Sequence, residues 1–220
     1  MTQPSAPDVA ADLVRIHRVI TRGLEVSIQH SRTPLDPATV SGFVIYAQTA
    51  AWVLHGHHVS EDQAAFPFFR QKQIDAPYLL LVAEHGQMQA ILNEVAPALD
   101  RLAGEPGDGQ SLAFVHQALI RLSGIWYPHI QREEVHLTAQ VIAAAISVEE
   151  QINLAQQFAQ HAQQNSGPAY LAVPFVLYNL SPEDRAGMLR VMPPEVTQHL
   201  VPVVWKDQWA PMRPFLRDVD

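Results

Sequence analysis

His55-Gly56-His57-His58-Val59-Ser60-Glu61-Asp62, followed at once by Gln63-Ala64-Ala65-Phe66-Pro67-Phe68-Phe69, closes an otherwise apolar run from Ala47 to Leu54. A segment built like a buried helix thus turns abruptly into imidazoles and carboxylates. On a helix, residues four apart stand one above the other, so His57 and Glu61 are expected to point the same way as Ala50, Val53 and Leu54, into the interior. A buried imidazole and a buried carboxylate are costly unless they are paired or bound to a cation. A divalent transition metal supplies that compensation, because neutral imidazole and carboxylate oxygen suit iron, zinc, manganese or nickel. The competing reading is a solvated helix end, and this stretch alone leaves both open.

Working outward, Asp36-Pro37 reads as the N-cap and first position of the helix that carries this stretch, through Val40, Phe43, Val44, Ala47, Ala51 and Leu54. Phe66-Pro67 is expected to bend or end it. Before it, Asp8 to His30 places Leu13, Ile16, Ile20 and Leu24 at helical spacing, with His17 inside the apolar stripe. After it, a third helix is expected from about Pro77 to Leu102, with Leu81, His85, Met88, Leu92 and Val95 on one face. The loop Ala103-Gly104-Glu105-Pro106-Gly107-Asp108-Gly109 leads to a fourth, from near Ser111, carrying Phe114, Leu119, Leu122 and Trp126 and an Ala-rich tail to Ile146. Pro128 is expected to kink it. Four long amphipathic helices with short connections and no period-2 segment describe an all-α, up-and-down four-helix bundle over residues 8–146.

From residue 147 the character changes. Ser147-Val148-Glu149-Glu150 is a capping box for a helix to about Gln164, and Ser181-Pro182-Glu183-Asp184 starts a short one. Pro-punctuated pieces with Val203-Val204-Trp205 and Trp209 are too apolar for a free tail. Residues 147–220 are therefore expected to form a C-terminal helical appendage, packed on the bundle or on a second subunit in a homodimer.

With 220 residues, 48% of them hydrophobic and 16% charged, the chain is globular and sized for one domain with an appendage. Its net charge of −8 argues against a nucleic-acid partner, which needs a basic face. No cysteine is present, which excludes disulfides, thiolate nucleophiles, iron–sulfur clusters and Cys-type zinc sites. Met1 to Asp12 is polar, without the pattern of an export signal, and no apolar run approaches the ~18 residues of a membrane span. The expectation is a cytoplasmic protein with no membrane partner.

Each of the four helices offers an inward-facing His: His17, His57, His85 and His129. Carboxylates follow two of them at helical spacing, Glu61 after His57 and Glu133 or Glu134 after His129. One His on an apolar face is usually a packed core residue, but four, one per helix, match how metal sites are built in helical bundles. In these residues the chain resembles the hemerythrin-like (HHE cation-binding) domains. In that family a first-helix His precedes a second-helix His-His-x-x-Glu-Asp trailed by Phe-Pro, a third-helix Glu-His and a fourth-helix His-x-x-x-Glu-Glu. Here these are His17, His57-His58-Val59-Ser60-Glu61-Asp62 with Phe66-Pro67, Glu84-His85, and His129-Ile130-Gln131-Arg132-Glu133-Glu134. The resemblance implies a hemerythrin-type bundle and a non-heme di-iron centre with carboxylate bridges, other divalent metals being compatible with the same donors. Its open position would take dioxygen, nitric oxide or another small ligand.

Two features depart from the five-His pattern or leave it open. Gln89 stands where such members have a second third-helix His, which would leave one metal short of a nitrogen donor. For the fourth-helix carboxylate, helical stacking favours Glu133, whereas the oxygen-carrier form would select Glu134. His58, about 100° from His57 on an ideal helix, is expected to support the ligands from outside or to lie at the surface, with Gln89 and Glu84 as further supporting candidates. His55, His30, His136, His161 and His199 are expected at surfaces or caps, and His116 packed or hydrogen-bonded. Tyr46 and Trp52 read as core.

Three functions fit this reading. One is reversible binding or sensing of dioxygen, nitric oxide or iron. A second is an enzyme using the same centre on peroxide or nitric oxide. The third is a structural or partner-binding helical protein whose His cluster is incidental, supported by the Pro- and Trp-containing appendage.

Overall fold

A computed structural model describes residues 8–217 and 219. The expectation for Met1 to Pro7 lies outside the described residues. Within them the chain is all-helical. Its long helices are α1 (Val9–Ser31), α2 (Pro37–Ser60), α4 (Tyr78–Gly104) and α5 (Gly109–His136), with α3 (Phe66–Gln71) between α2 and α4. In space α1 packs on α2, α2 on α4, α4 on α5 and α5 back on α1. Side-chain caps from Asp8, Asp36 and Asp108 satisfy the first amides of α1, α2 and α5. No helix among the described residues is long and apolar enough to cross a membrane.

Phe66-Pro67 does not end the second helix. Residues Glu61–Ala65 form a π-turn in which the Phe66 amide donates to the Glu61 carbonyl, five residues back, and α3 then continues to Gln71. Proline lacks an amide proton, and in a tight α-turn its ring collides with the carbonyl four residues back. Widening that turn accommodates Pro67 and also turns Glu61 and Asp62 relative to the histidines before them. The Ala-rich tail of the fourth helix is likewise not continuous. α5 ends at His136, and Thr138 caps a separate α6 (Ala139–Ala145) by accepting a hydrogen bond from the Val141 amide. α5 itself runs through Pro128, and α4 through Pro97. Phe114, expected in the apolar stripe, is exposed at 42%, because it lies five residues before Leu119; Val115, four before, is the buried one.

Beyond lie α7 (Val148–Asn165), opened by the Ser147–Glu150 capping box, α8 (Ala169–Asn179), α9 (Pro182–Val191), a π-helical stretch Val196–Val204, α10 (Lys206–Trp209) and a 3-10 turn Ala210–Phe215. These elements share the main core. Leu171, Phe175, Val201, Trp209, Met212 and Phe215 are buried in one cluster with Phe43, Tyr46 and Ala50 of α2. Tyr46 donates its hydroxyl proton to Asn179 Oδ1 at 2.7 Å, and Gly42 lets the Pro211 carbonyl approach so closely that a Cβ there would stand 2.1 Å from the oxygen. α2 consequently meets α1, α4, α7, α8 and the 210–215 turn at once, and from Gly42 to Ser60 none of its residues is exposed.

The apolar interior is divided in two. The larger cluster holds Ile20, Leu54, Met88 and Trp126; the smaller holds Leu13, Ala64, Phe66, Leu81, Leu137 and Ile142. α1 and α4 pass from one to the other, α2 and α5 lead into the smaller one through the residues that follow them, and His17, His57, His85 and His129 fall between the two along the chain.

Candidate metal centre

Those four imidazoles are buried and adjacent. His17 and His57 have ring centroids 5.1 Å apart, and His85 and His129 4.7 Å. Between the pairs stand Glu61 from the π-turn and Glu133 from α5, both at or below 1% exposure. Glu61 Oε2 lies 3.4 Å from the Nε2 atoms of both His57 and His85. Glu133 faces His17 Nε2 at 3.1 Å through one oxygen and His129 Nε2 at 3.4 Å through the other. Helical stacking chooses between the two neighbouring glutamates: Glu133, four residues after His129, points inward, while Glu134 reaches His17 from outside.

An outer ring of carboxylates orients three of the imidazoles. His17 Nδ1 meets Glu134 Oε1 at 2.9 Å, His85 Nδ1 meets Asp62 Oδ1 at 2.8 Å, and His129 Nδ1 meets Glu84 Oε2 at 3.0 Å. Arg132 donates to the other oxygen of Glu84 at 2.5 Å. A proton on each Nδ1, shared with its carboxylate, leaves the Nε2 lone pair aimed at the centre, which is how metal-binding histidines are held. Asp62 therefore does not point away from the site, as an ideal helix would have it; the π-turn brings it onto His85. Trp126, three residues before His129 and so on the same face, packs its ring 5.7 Å from His17 and 6.1 Å from His57. That spacing was the available signal for it.

The inner donors have no partners of their own. His17 Nε2, His57 Nε2, both oxygens of Glu61 and both of Glu133 are buried without a hydrogen bond. With protons on their Nδ1 atoms, His85 and His129 turn two Nε2 lone pairs toward each other at 3.0 Å. Stranded acceptors of this kind are strongly unfavourable unless a cation lies among them. Burial, then the charges of Glu133 and Asp62, pushes the Glu61 carboxyl well above its ordinary range. Burial, then the other imidazoles, holds His57 well below the ordinary histidine range, in the neutral form that ligates metal. For His17 burial acts downward, but Glu133 and Glu134 outweigh it and raise its pKa. Among the described residues three sets of donors each lie within 4.8 Å of one another: His17, His57, Glu61 and Glu133; Glu61, His85, His129 and Glu133; and His58, His85 and His129. The residues thus fit the binding of a cation by imidazole nitrogen and carboxylate oxygen.

A family model, the hemerythrin HHE cation-binding domain, matches residues 8–164. The chain belongs to the hemerythrin HHE family. Comparison with curated proteins and with solved structures gives no match. The hemerythrin HHE match runs past residue 146, the expected end of the resemblance, to residue 164 in α7, which packs along α2.

Two residues sit elsewhere than expected. His58 is 4% exposed, neither supporting a ligand by a hydrogen bond nor at the surface. It is buried because α2 is covered on every side, so adjacent positions both face inward, His57 toward α1 and His58 toward α4 and α5. Gln89 faces away from the centre. Its oxygen meets His55 Nδ1 at 2.7 Å and its amide donates to Asn93. Gln89→His is therefore expected to leave bound metal and the visible spectrum as in the wild type, measured by metal analysis and absorption. His116 hydrogen-bonds Ser31, and Tyr46 is wholly buried. A pocket of about 410 Å³ lies outside His17 and Glu134, lined also by Arg18, Arg22, Asn179 and Asp184.

Proposed function

We propose that this hemerythrin HHE protein is an up-and-down four-helix bundle in which His17, His57, His85, His129, Glu61 and Glu133 would hold two iron ions, and that it binds or senses a small molecule such as dioxygen or nitric oxide. The observation that carries this reading is the pair of buried donor sets sharing both carboxylates, with inner nitrogens and oxygens that no protein group satisfies. Iron bound there supplies a redox-active centre able to take up such a ligand. The chain's own residues do the rest. His17, His57, His85 and His129 fix the donor directions, and Glu134, Asp62 and Glu84 hold three of those rings in one tautomer. Trp126 packs its ring against His17, His57 and His129, and the wholly buried Leu54, Leu81 and Met88 stand within about one helical turn of His57 or His85 in sequence.

Metal analysis of purified protein, with an optical spectrum of the anaerobically reduced form before and after air, tests the reading. About two iron ions per chain and a new visible absorption on exposure to air are expected. Protein that holds no metal and shows no spectral change would overturn it. Steady consumption of peroxide or nitric oxide by the loaded protein would move the reading from binder to enzyme at the same centre.

A further inference from the structure

We infer that His58 is itself a metal ligand, supplying a third imidazole to the cation position formed by His85 and His129; this rests on the two-metal reading above. Three observations carry it. First, His58 is 4% exposed and both its ring nitrogens lack a hydrogen-bond partner. A neutral imidazole has one N–H and one lone pair, and stranding both in a protein interior is costly. The rings of His17, His85 and His129 escape that cost at Nδ1 through a carboxylate; His58 has none. Second, its placement chooses a side. A nitrogen of His58 lies within 4.8 Å of donor atoms of both His85 and His129, in a set of three imidazoles that includes neither Glu61 nor Glu133, and His58 is grouped with neither His17 nor His57. Its ring stacks on His85, with centroids 4.0 Å apart and planes 15° from parallel. Third, the third helix offers no further donor on this side, because Gln89 is engaged with His55 and Asn93 outside the centre. The nitrogen that the third helix does not provide comes from the second.

An apolar ring would fill the same space against His85 without stranding two nitrogens, so packing alone does not account for histidine here. The consequence is an asymmetric pair. One position would draw on two imidazoles, His17 and His57, and the other on three, His58, His85 and His129, while Glu61 and Glu133 are grouped with His17 and His57 and, separately, with His85 and His129.

The test uses the full-length chain, reconstituted anaerobically with ferrous iron and freed of excess metal, for the wild type, His58→Phe and His58→Glu. Bound iron per chain and the Mössbauer spectrum are read. The wild type is expected to hold a pair with two unequal iron signals. In His58→Phe, one signal persists and the other is lost or bound at least ~10–100-fold more weakly. His58→Glu, which restores a ligating atom, recovers the second ion. Circular dichroism and melting of the metal-free variants check the fold; should Phe prevent folding, His58→Gln against His58→Glu gives the same contrast. A full pair with unchanged signals in His58→Phe overturns the assignment of His58 alone. A wild type that binds no iron overturns the two-metal reading, and His58 with it.

Discussion

Glu61→Gln is expected to empty both cation positions while leaving the metal-free protein at least as stable as the wild type. One carboxylate touches the Nε2 atoms of His57 and His85, one from each donor set, so its charge is shared by both. The amide keeps the shape but offers no anionic oxygen, and affinity for ferrous iron should fall by at least ~100-fold. Without metal, the carboxylate is a liability. Its pKa is raised by burial and by the charges of Glu133 and Asp62, so ionising it in the fold costs more than in the unfolded chain. A group raised in the fold lowers stability once pH exceeds its unfolded pKa. The gain from Gln is thus expected at neutral pH and vanishes in acid, where the carboxyl is protonated in both states. Calorimetric melting of the two apo proteins at acid and neutral pH, beside their iron content, checks both halves. Asp62→Asn, which keeps a hydrogen bond to His85 but loses the charge, should lose metal less severely.

Gly42→Val should produce the largest loss of stability in the chain away from the centre. A Cβ at residue 42 would stand 2.1 Å from the Pro211 carbonyl oxygen and 3.3 Å from the Phe215 ring. Both partners of the collision are backbone-anchored: α2 is gripped on all sides, and the 210–215 turn is fixed by Met212 and Phe215 in the core. Overpacking that cannot be relieved by a side-chain rotation costs about 3 kcal/mol or more, which for a chain of this size is a fall in melting temperature of roughly 6–12 °C. Increased proteolysis after residue 205 should accompany it, as the turn is displaced. A melting temperature within a degree of wild type would show that the turn moves freely.

Much of the centre is readable from spacing. His17, His85 and His129 sit in apolar stripes at helical period, and Glu133 four residues after His129 follows from stacking alone. Legibility fails where local geometry departs from the ideal helix or where distant segments decide burial. The π-turn at 61–65 brings Asp62 onto His85, and a rule of about 100° per residue points it elsewhere. His58 looks peripheral only if α2 has a solvent face. That face is removed by α7, α8 and the 210–215 turn, whose packing no local pattern announces. Thr138 ends α5's tail through a cap hidden within an Ala-rich run, and Phe114 fell outside the stripe by one position.

The layer of imidazoles and carboxylates falls, along the chain, between the segments that build two separate apolar clusters. Without a cation that layer is a seam of buried polar groups lacking hydrogen bonds, where local opening is expected to cost least. On the proposed reading a cation bound there would join side chains from α1, α2, α4, α5 and the π-turn and turn the seam into a rivet. Occupancy of the centre would then set how much of the chain unfolds as a single cooperative unit, and the metal would shape folding as well as chemistry.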